Sequence, residues 1–202
     1  MSDSKADWSF KFPINARSFL ERAKVRLSTF DEEGSAENLF YAALELRTGI
    51  EARLFEYIDG SRGAGNESSK HVKEYSATTL LAILARIDPK ATEPTGLVFG
   101  VNGTQRGTLL EYTPVTRELA RYHGTLGELL HFKFFRKNRS WLYRDRLEEE
   151  HGVRSLADWR DFLEMVVSEL DSATRGALLA PPSFVDFIER VSREDGGDQA
   201  SS

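Results

Sequence analysis

Apolar residues recur at three- and four-residue steps over most of the chain, the period of α-helices that turn one face to a core. After Asn15, a suitable cap residue, Phe19, Leu20, Ala23, Leu27 and Phe30 form such a stripe. Glu21, Arg22, Lys24 and Arg26 fall on its outward side. The run DEEGS breaks the pattern, and Ser35 can cap a second, longer helix through AENLFYAALELRTGIEARLFEYI. The polar, glycine-rich DGSRGAGNESS at 59–69 predicts a loop. A third helix is expected through HVKEYSATTLLAILARI, with Val72, Leu80, Ile83, Leu84 and Ile87 buried and Asp88-Pro89 as its stop.

One segment departs from this period. GLVFGVNGTQRGTLLEYTP holds two β-prone runs, Leu97–Val101 and Thr108–Tyr112, around Asn102-Gly103, which predicts a hairpin with a connection longer than two residues. Thr113-Pro114 reads as the cap and first residue of a fourth helix. Ser155 with Asp158 opens another, carrying Trp159, Phe162, Leu163, Val166 and Leu170. A last one is expected after Pro181-Pro182 and Ser183. The fold class that results is mainly α: one helical-bundle domain over 14–193 with a small hairpin inserted at about 97–112. Residues 1–13 and 194–202 read as disordered polar tails.

Two helical projections concentrate polar groups. In the second helix, Leu39, Phe40, Ala43, Leu44, Leu46, Ile50, Leu54, Phe55, Tyr57 and Ile58 span a wide apolar arc that also contains Arg47 and Glu51. Those two are four apart and can touch, while Glu45, Thr48, Ala52 and Glu56 lie opposite. Near a core such a pair needs partners. It is either a structural salt bridge between helices or a polar site in which Arg47 binds an anion or Glu51 handles a proton. On the fourth helix Arg117, Arg121, Gly124, Glu128 and His131 share one face, opposite Leu119, Tyr122, Leu126, Leu129 and Leu130, with His123 at the flank. That stripe is either a solvated face or a site carrying two arginines, a carboxylate and an imidazole.

Composition narrows the chemistry. The 202 residues are 40% hydrophobic and 29% charged with a net charge of −5, which disfavours non-specific coating of nucleic acid but allows a local basic patch. With no cysteine, disulfides and thiol nucleophiles are excluded. His71, His123, His131 and His151 show no metal-ligand spacing, so neither a metal nor another cofactor is expected. GSRGAG lacks the ending of a phosphate-binding loop, and GxSxG does not occur. No apolar run is long enough for a bilayer, and MSDSKADWSF shows no secretion signal, so a cytoplasmic location is the expectation. The local patch sits at 131–146, HFKFFRKNRSWLYRDR. There Lys133, Arg136, Lys137, Arg139 and Arg144 gather among aromatics at a helix–helix corner suited to binding phosphates.

The pair YAALELRTGIEARLFEYI and YHGTLGELLH resembles helical-bundle domains of the HEPN type, common in prokaryotic toxin and phage-defence systems. The resemblance spans about 35–151. It implies a dimeric RNA-binding or RNA-cleaving domain, whose active members use an arginine and a histidine four to six residues apart on one helix. Arg117 and His123, enclosing ELARY, fit that spacing in the strongest helix; Arg146 and His151 enclose LEEE. The implied catalytic set is Arg117 and His123, with Glu128 and His131 on the same helix, acting as a metal-independent endoribonuclease. RNA, and a protein partner or second copy, are then the expected partners. The alternative is a non-enzymatic helical subunit that docks another protein through its hairpin or its glycine-containing helix.

Overall fold

The computed structural model describes residues 13–63, 76–100, 107–130 and 155–178, with 185–186 and 189. Within them the protein is mainly α, a helical bundle with one small antiparallel sheet. Helix α1 (Ala16–Glu33) starts where Asn15 accepts the Ser18 amide at 2.8 Å through its side chain. It ends at Gly34, whose left-handed φ of 67° turns its N–H back to the Phe30 carbonyl at 2.8 Å. The acidic DEE therefore belongs to the last turn of α1, and the break falls on the glycine.

Helix α2 (Ala36–Gly63) is the centre of the bundle and packs against each of the other long helices. Leu39, Ala42, Ala43, Leu46, Ile50, Leu54, Tyr57 and Ile58 are buried. A Cβ placed on Gly49 would lie 2.9 Å from Leu170 and 3.2 Å from the Phe19 Cβ, so glycine here allows three helices to meet closely. Two expectations need correcting. Phe40 and Leu44 are 37% and 47% exposed, because the buried stripe runs through Ala42 and Ala43 instead. Residues 59–63 of the expected loop are helical, since α2 continues through Gly63, and 64–69 lie outside the described residues.

Helix α3 (Ala77–Ile87) starts after Ser76 and buries Leu80, Leu81 and Leu84. Residues 71–75 of the expected third helix, Val72 included, lie outside the described residues. At its end Asp88 accepts the Lys90 amide and opens a short 3-10 turn, Pro89–Thr92. Strands β1 (Thr95–Gly100) and β2 (Gly107–Tyr112) pair antiparallel from Thr95 opposite Tyr112 to Gly100 opposite Gly107. The hairpin thus begins two residues earlier than the pattern suggested.

Helix α4 (Arg117–Leu130) begins three residues after the expected proline. Thr116 is its cap, accepting the Leu119 amide at 3.0 Å. Residues 113–116 stay non-helical; the Thr113 carbonyl is taken by the Tyr57 hydroxyl, and Pro114 and Val115 are buried. Helix α5 (Leu156–Arg175) opens on the expected capping box, Ser155 and Asp158 bonding each other's amides at 3.0 Å. Its face of Phe162, Leu163, Val166, Val167 and Leu170 enters the core. The helix expected after Pro181-Pro182 and the two tails lie outside the described residues. No helix among those described is long and apolar enough to cross a membrane.

Ion pairs fix the helices laterally. Arg160 of α5 forks onto both oxygens of Asp31 in α1, at 3.1 and 2.9 Å. Asp171, almost buried, receives Lys24 at 3.0 Å, Arg17 at 3.2 Å and Arg175. The Lys24 ammonium bonded to it holds its carboxyl below the usual range, against the opposing effect of its own burial.

Beneath the hairpin, two tyrosines face each other with ring centroids 5.3 Å apart. The Tyr57 hydroxyl donates to the carbonyls of Thr113 and Ala173, and Tyr112 donates to Ala91 at 2.5 Å. Burial pushes the Tyr57 hydroxyl up to about 12 and raises Tyr112 as well. Since the folded state holds these protons more tightly than the unfolded chain, their contribution is complete below about pH 10 and is lost as pH rises towards 12. Tyr57 alone accounts for about 3 kcal/mol at the upper end of that window. Urea midpoints taken from about pH 9 upward should fall as tyrosinate absorbance rises, and Tyr57→Phe should flatten the fall. Midpoints that stay level would mean the hydroxyl is not held as described.

Candidate functional site

Arg47 and Glu51 lie one turn apart on α2, 3.6 Å from Nε to Oε1, with side chains 27% and 20% exposed. The two side chains are in contact, as the four-residue spacing predicts, but are half-buried and not sealed in the core. Across the seam, α4 adds a third group. His123, buried between Leu119 and Leu126 of its own helix, places Nε2 2.5 Å from Glu51 Oε1 and 3.2 Å from Arg47 Nε. A separation of 2.5 Å between an imidazole nitrogen and a carboxylate oxygen requires a proton between them. Arg47 aims its Nε–H at the same nitrogen, so Glu51 and Arg47 compete for Nε2, while no described residue bonds Nδ1. The arrangement places a base, an orienting carboxylate and a cation within one cluster.

Glu51 also lines a groove of about 540 Å³ along α1 and α2, together with Phe19, Thr48, Phe55, Glu56 and Asp59. Three carboxylates on that wall make it a poor phosphate seat, so an anion would approach the cluster from the Arg47 side. Among the described residues no group of three His, Asp or Glu side chains is arranged to hold a metal ion.

Arg117 and His123, both expected in the catalytic set, lie on different sides of α4. Arg117 is exposed and faces α3 across a second groove, whereas His123 turns towards α2, so these two are not brought together. Arg121 is exposed and pairs with Glu118. Gly124 is also exposed, with nothing within 4 Å of a Cβ built on it, so no other described element approaches there. The Glu128 side chain, His131, Lys133, Arg136, Lys137, Arg139, Arg144 and the pair Arg146 and His151 lie outside the described residues.

A more deeply buried ion pair escaped the sequence reading. Arg53 is 5% exposed, donates to the carbonyls of Ala173 and Gly176 at 2.8 Å each, bonds Glu56 at 3.0 Å and stacks 4.4 Å over the Tyr57 ring. Glu56 in turn accepts the Ala16 amide at 2.7 Å, closing the N-terminus of α1. The signal was present: Arg53 sits three residues after Ile50 and four before Tyr57, inside the buried stripe. Its partners, helix-terminal backbone carbonyls, have no signature in side-chain spacing. Compared with known proteins, the chain matches no family model, no curated protein and no solved structure.

Proposed function

We propose that this is a HEPN-like RNA-acting domain whose working centre is the Arg47–Glu51–His123 cluster, with the prokaryotic stress or phage-defence role that such domains serve. The observation that supports it is the contact at 2.5 Å between Glu51 and His123 with Arg47 alongside, since these are the groups a metal-independent RNA cleavage needs. In the working state Nε2 carries the proton and donates it to Glu51, which frees the Arg47 guanidinium for substrate and leaves the lone pair on Nδ1. Nδ1 then takes the proton of a ribose 2′-hydroxyl, whose oxygen attacks the adjacent phosphorus. The imidazolium so formed returns the proton to the departing 5′ oxygen, leaving a 2′,3′-cyclic phosphate. Arg47 offsets the charge that builds on the phosphoryl oxygens. Lys133, Arg136, Lys137, Arg139 and Arg144 are the expected phosphate contacts along the strand.

His123→Gln is the test, because the glutamine amide can still donate to Glu51 but cannot shuttle a proton. Cleavage of a short single-stranded RNA should slow by at least about 100-fold, with the melting temperature nearly unchanged. The same strand made of DNA should not be cut, lacking the 2′-hydroxyl. An unaffected rate, loss of folding, or a parent protein that neither cuts nor binds RNA in low salt would overturn the reading. In that event the helical interaction subunit is the better description.

A further inference from the structure

The exposed sides of α3 and α4 form a groove of about 420 Å³ that the RNA reading does not use. On α3 it is lined by Thr78, Leu81, Ala82 and Ala85, spaced as one continuous face of a helix. On α4 it is lined by Arg117, Ala120 and Arg121, again one face, and Gly124 continues that stripe by one turn. Thr92 of the 3-10 turn closes one end. The floor is therefore made of small or aliphatic side chains, which lets a third helix settle between the two ridges. The rim carries two guanidinium groups four residues apart. Arg117 has no ion pair among the described residues, and Arg121 is held by the exposed Glu118 and lies 5.9 Å over the Tyr122 ring, both weak ties that a better partner can replace.

We infer that this groove seats an amphipathic helix from another protein, one that presents a small apolar stripe edged by two carboxylates at i and i+4. Charge complementarity selects that occupant. Two arginines one turn apart match carboxylates one turn apart, on a chain whose net charge of −5 would otherwise repel an acidic partner. A nucleic acid fits less well, because the floor between the arginines is mostly aliphatic, with the Thr78 and Thr92 hydroxyls as its polar groups and no aromatic face for a base to stack on. A second copy would set arginine against arginine across a two-fold axis.

The test pans a phage-displayed library of randomised helical peptides on the full chain and on its Ala82→Arg/Ala85→Arg variant. Ala82 is exposed and Ala85 half-buried, so both arginines can reach solvent while filling the groove. Peptides enriched on the parent but not on the filled variant should carry Glu or Asp at i and i+4 beside an apolar stripe. Arg117→Glu/Arg121→Glu, which changes two exposed positions, should weaken those peptides by at least about 10-fold, and lysine-substituted peptides should recover the loss. The inference is overturned if parent and filled variant enrich the same peptides or none, or if the enriched sequences lack the acidic spacing. Displacement of the peptides by a short RNA would overturn it too, as would self-association of the parent that the filled variant loses.

Discussion

Replacing Arg53 with methionine should remove about 3–5 kcal/mol of stability and lower the melting temperature by roughly 10 °C, the largest single-residue loss expected in the described fold. The apolar stem of methionine fills much of the same space, so the loss isolates the guanidinium. That group closes two carbonyls at the C-terminal end of α5, bonds Glu56 and covers the Tyr57 ring. Without it, the Ala173 and Gly176 carbonyls lose a charge-assisted donor in a site from which water is largely excluded. Lysine should recover only part of the loss, because one ammonium cannot reproduce the planar fork that reaches both carbonyls and the carboxylate. Combining Arg53→Met with Glu56→Gln should cost less than the sum of the two, since the second change removes a charge that the first leaves unpaired. Urea unfolding followed by circular dichroism measures all four proteins. Strict additivity, or a loss below about 1 kcal/mol for Arg53→Met, would show that the guanidinium is a surface group in practice.

How much of this was legible in advance depended on whether the relevant partner was near in sequence. Asn15 and the Ser155–Asp158 box act within one turn of themselves, and both caps are where the sequence places them. The contact of Arg47 with Glu51 follows from a four-residue spacing alone. For His123, spacing along α4 offers only residues of the same helix, such as Arg117. Its actual neighbours, Glu51 and Arg47, are 72 and 76 residues away, a separation that periodicity cannot bridge. The start of α4 was misplaced for a similar reason. Pro114 has the local preferences of a first helical residue, but a hydroxyl from α2, Tyr57, holds the preceding carbonyl and keeps the segment out of the helix until Thr116 can cap. Phe40 and Leu44 show the opposite failure. Their hydropathy suggested burial, yet the close approach of helices selects the smaller Ala42 and Ala43 for the interior.

Glycine-to-alanine changes at two positions should move stability in opposite directions. At Gly176 the backbone angles, φ −81° and ψ 172°, suit any residue, so the requirement there is for space and not for conformational freedom. A Cβ would lie 3.1 Å from the Glu111 carbonyl oxygen and 3.2 Å from the Tyr112 carbonyl carbon, and closer still to the Thr113 amide nitrogen. All three are backbone atoms, so no rotamer change can relieve the overlap. The strand cannot shift easily either. Ala177 donates to the Glu111 carbonyl at 2.8 Å, Arg53 holds the Gly176 carbonyl, and Tyr57 holds Thr113. Gly176→Ala should therefore cost about 3 kcal/mol, at the upper end for overpacking, by prising the end of α5 away from β2. Gly124 is the counter-case: it is helical and exposed, with nothing within 4 Å of the added carbon. Alanine there should stabilise the protein by about 0.5–1 kcal/mol, from helix propensity alone. Denaturant midpoints of the two variants give the answer directly. A Gly176→Ala protein as stable as its parent would mean that α5 and the hairpin do not meet as closely as described. A destabilising Gly124→Ala would mean that another surface already covers that face of α4.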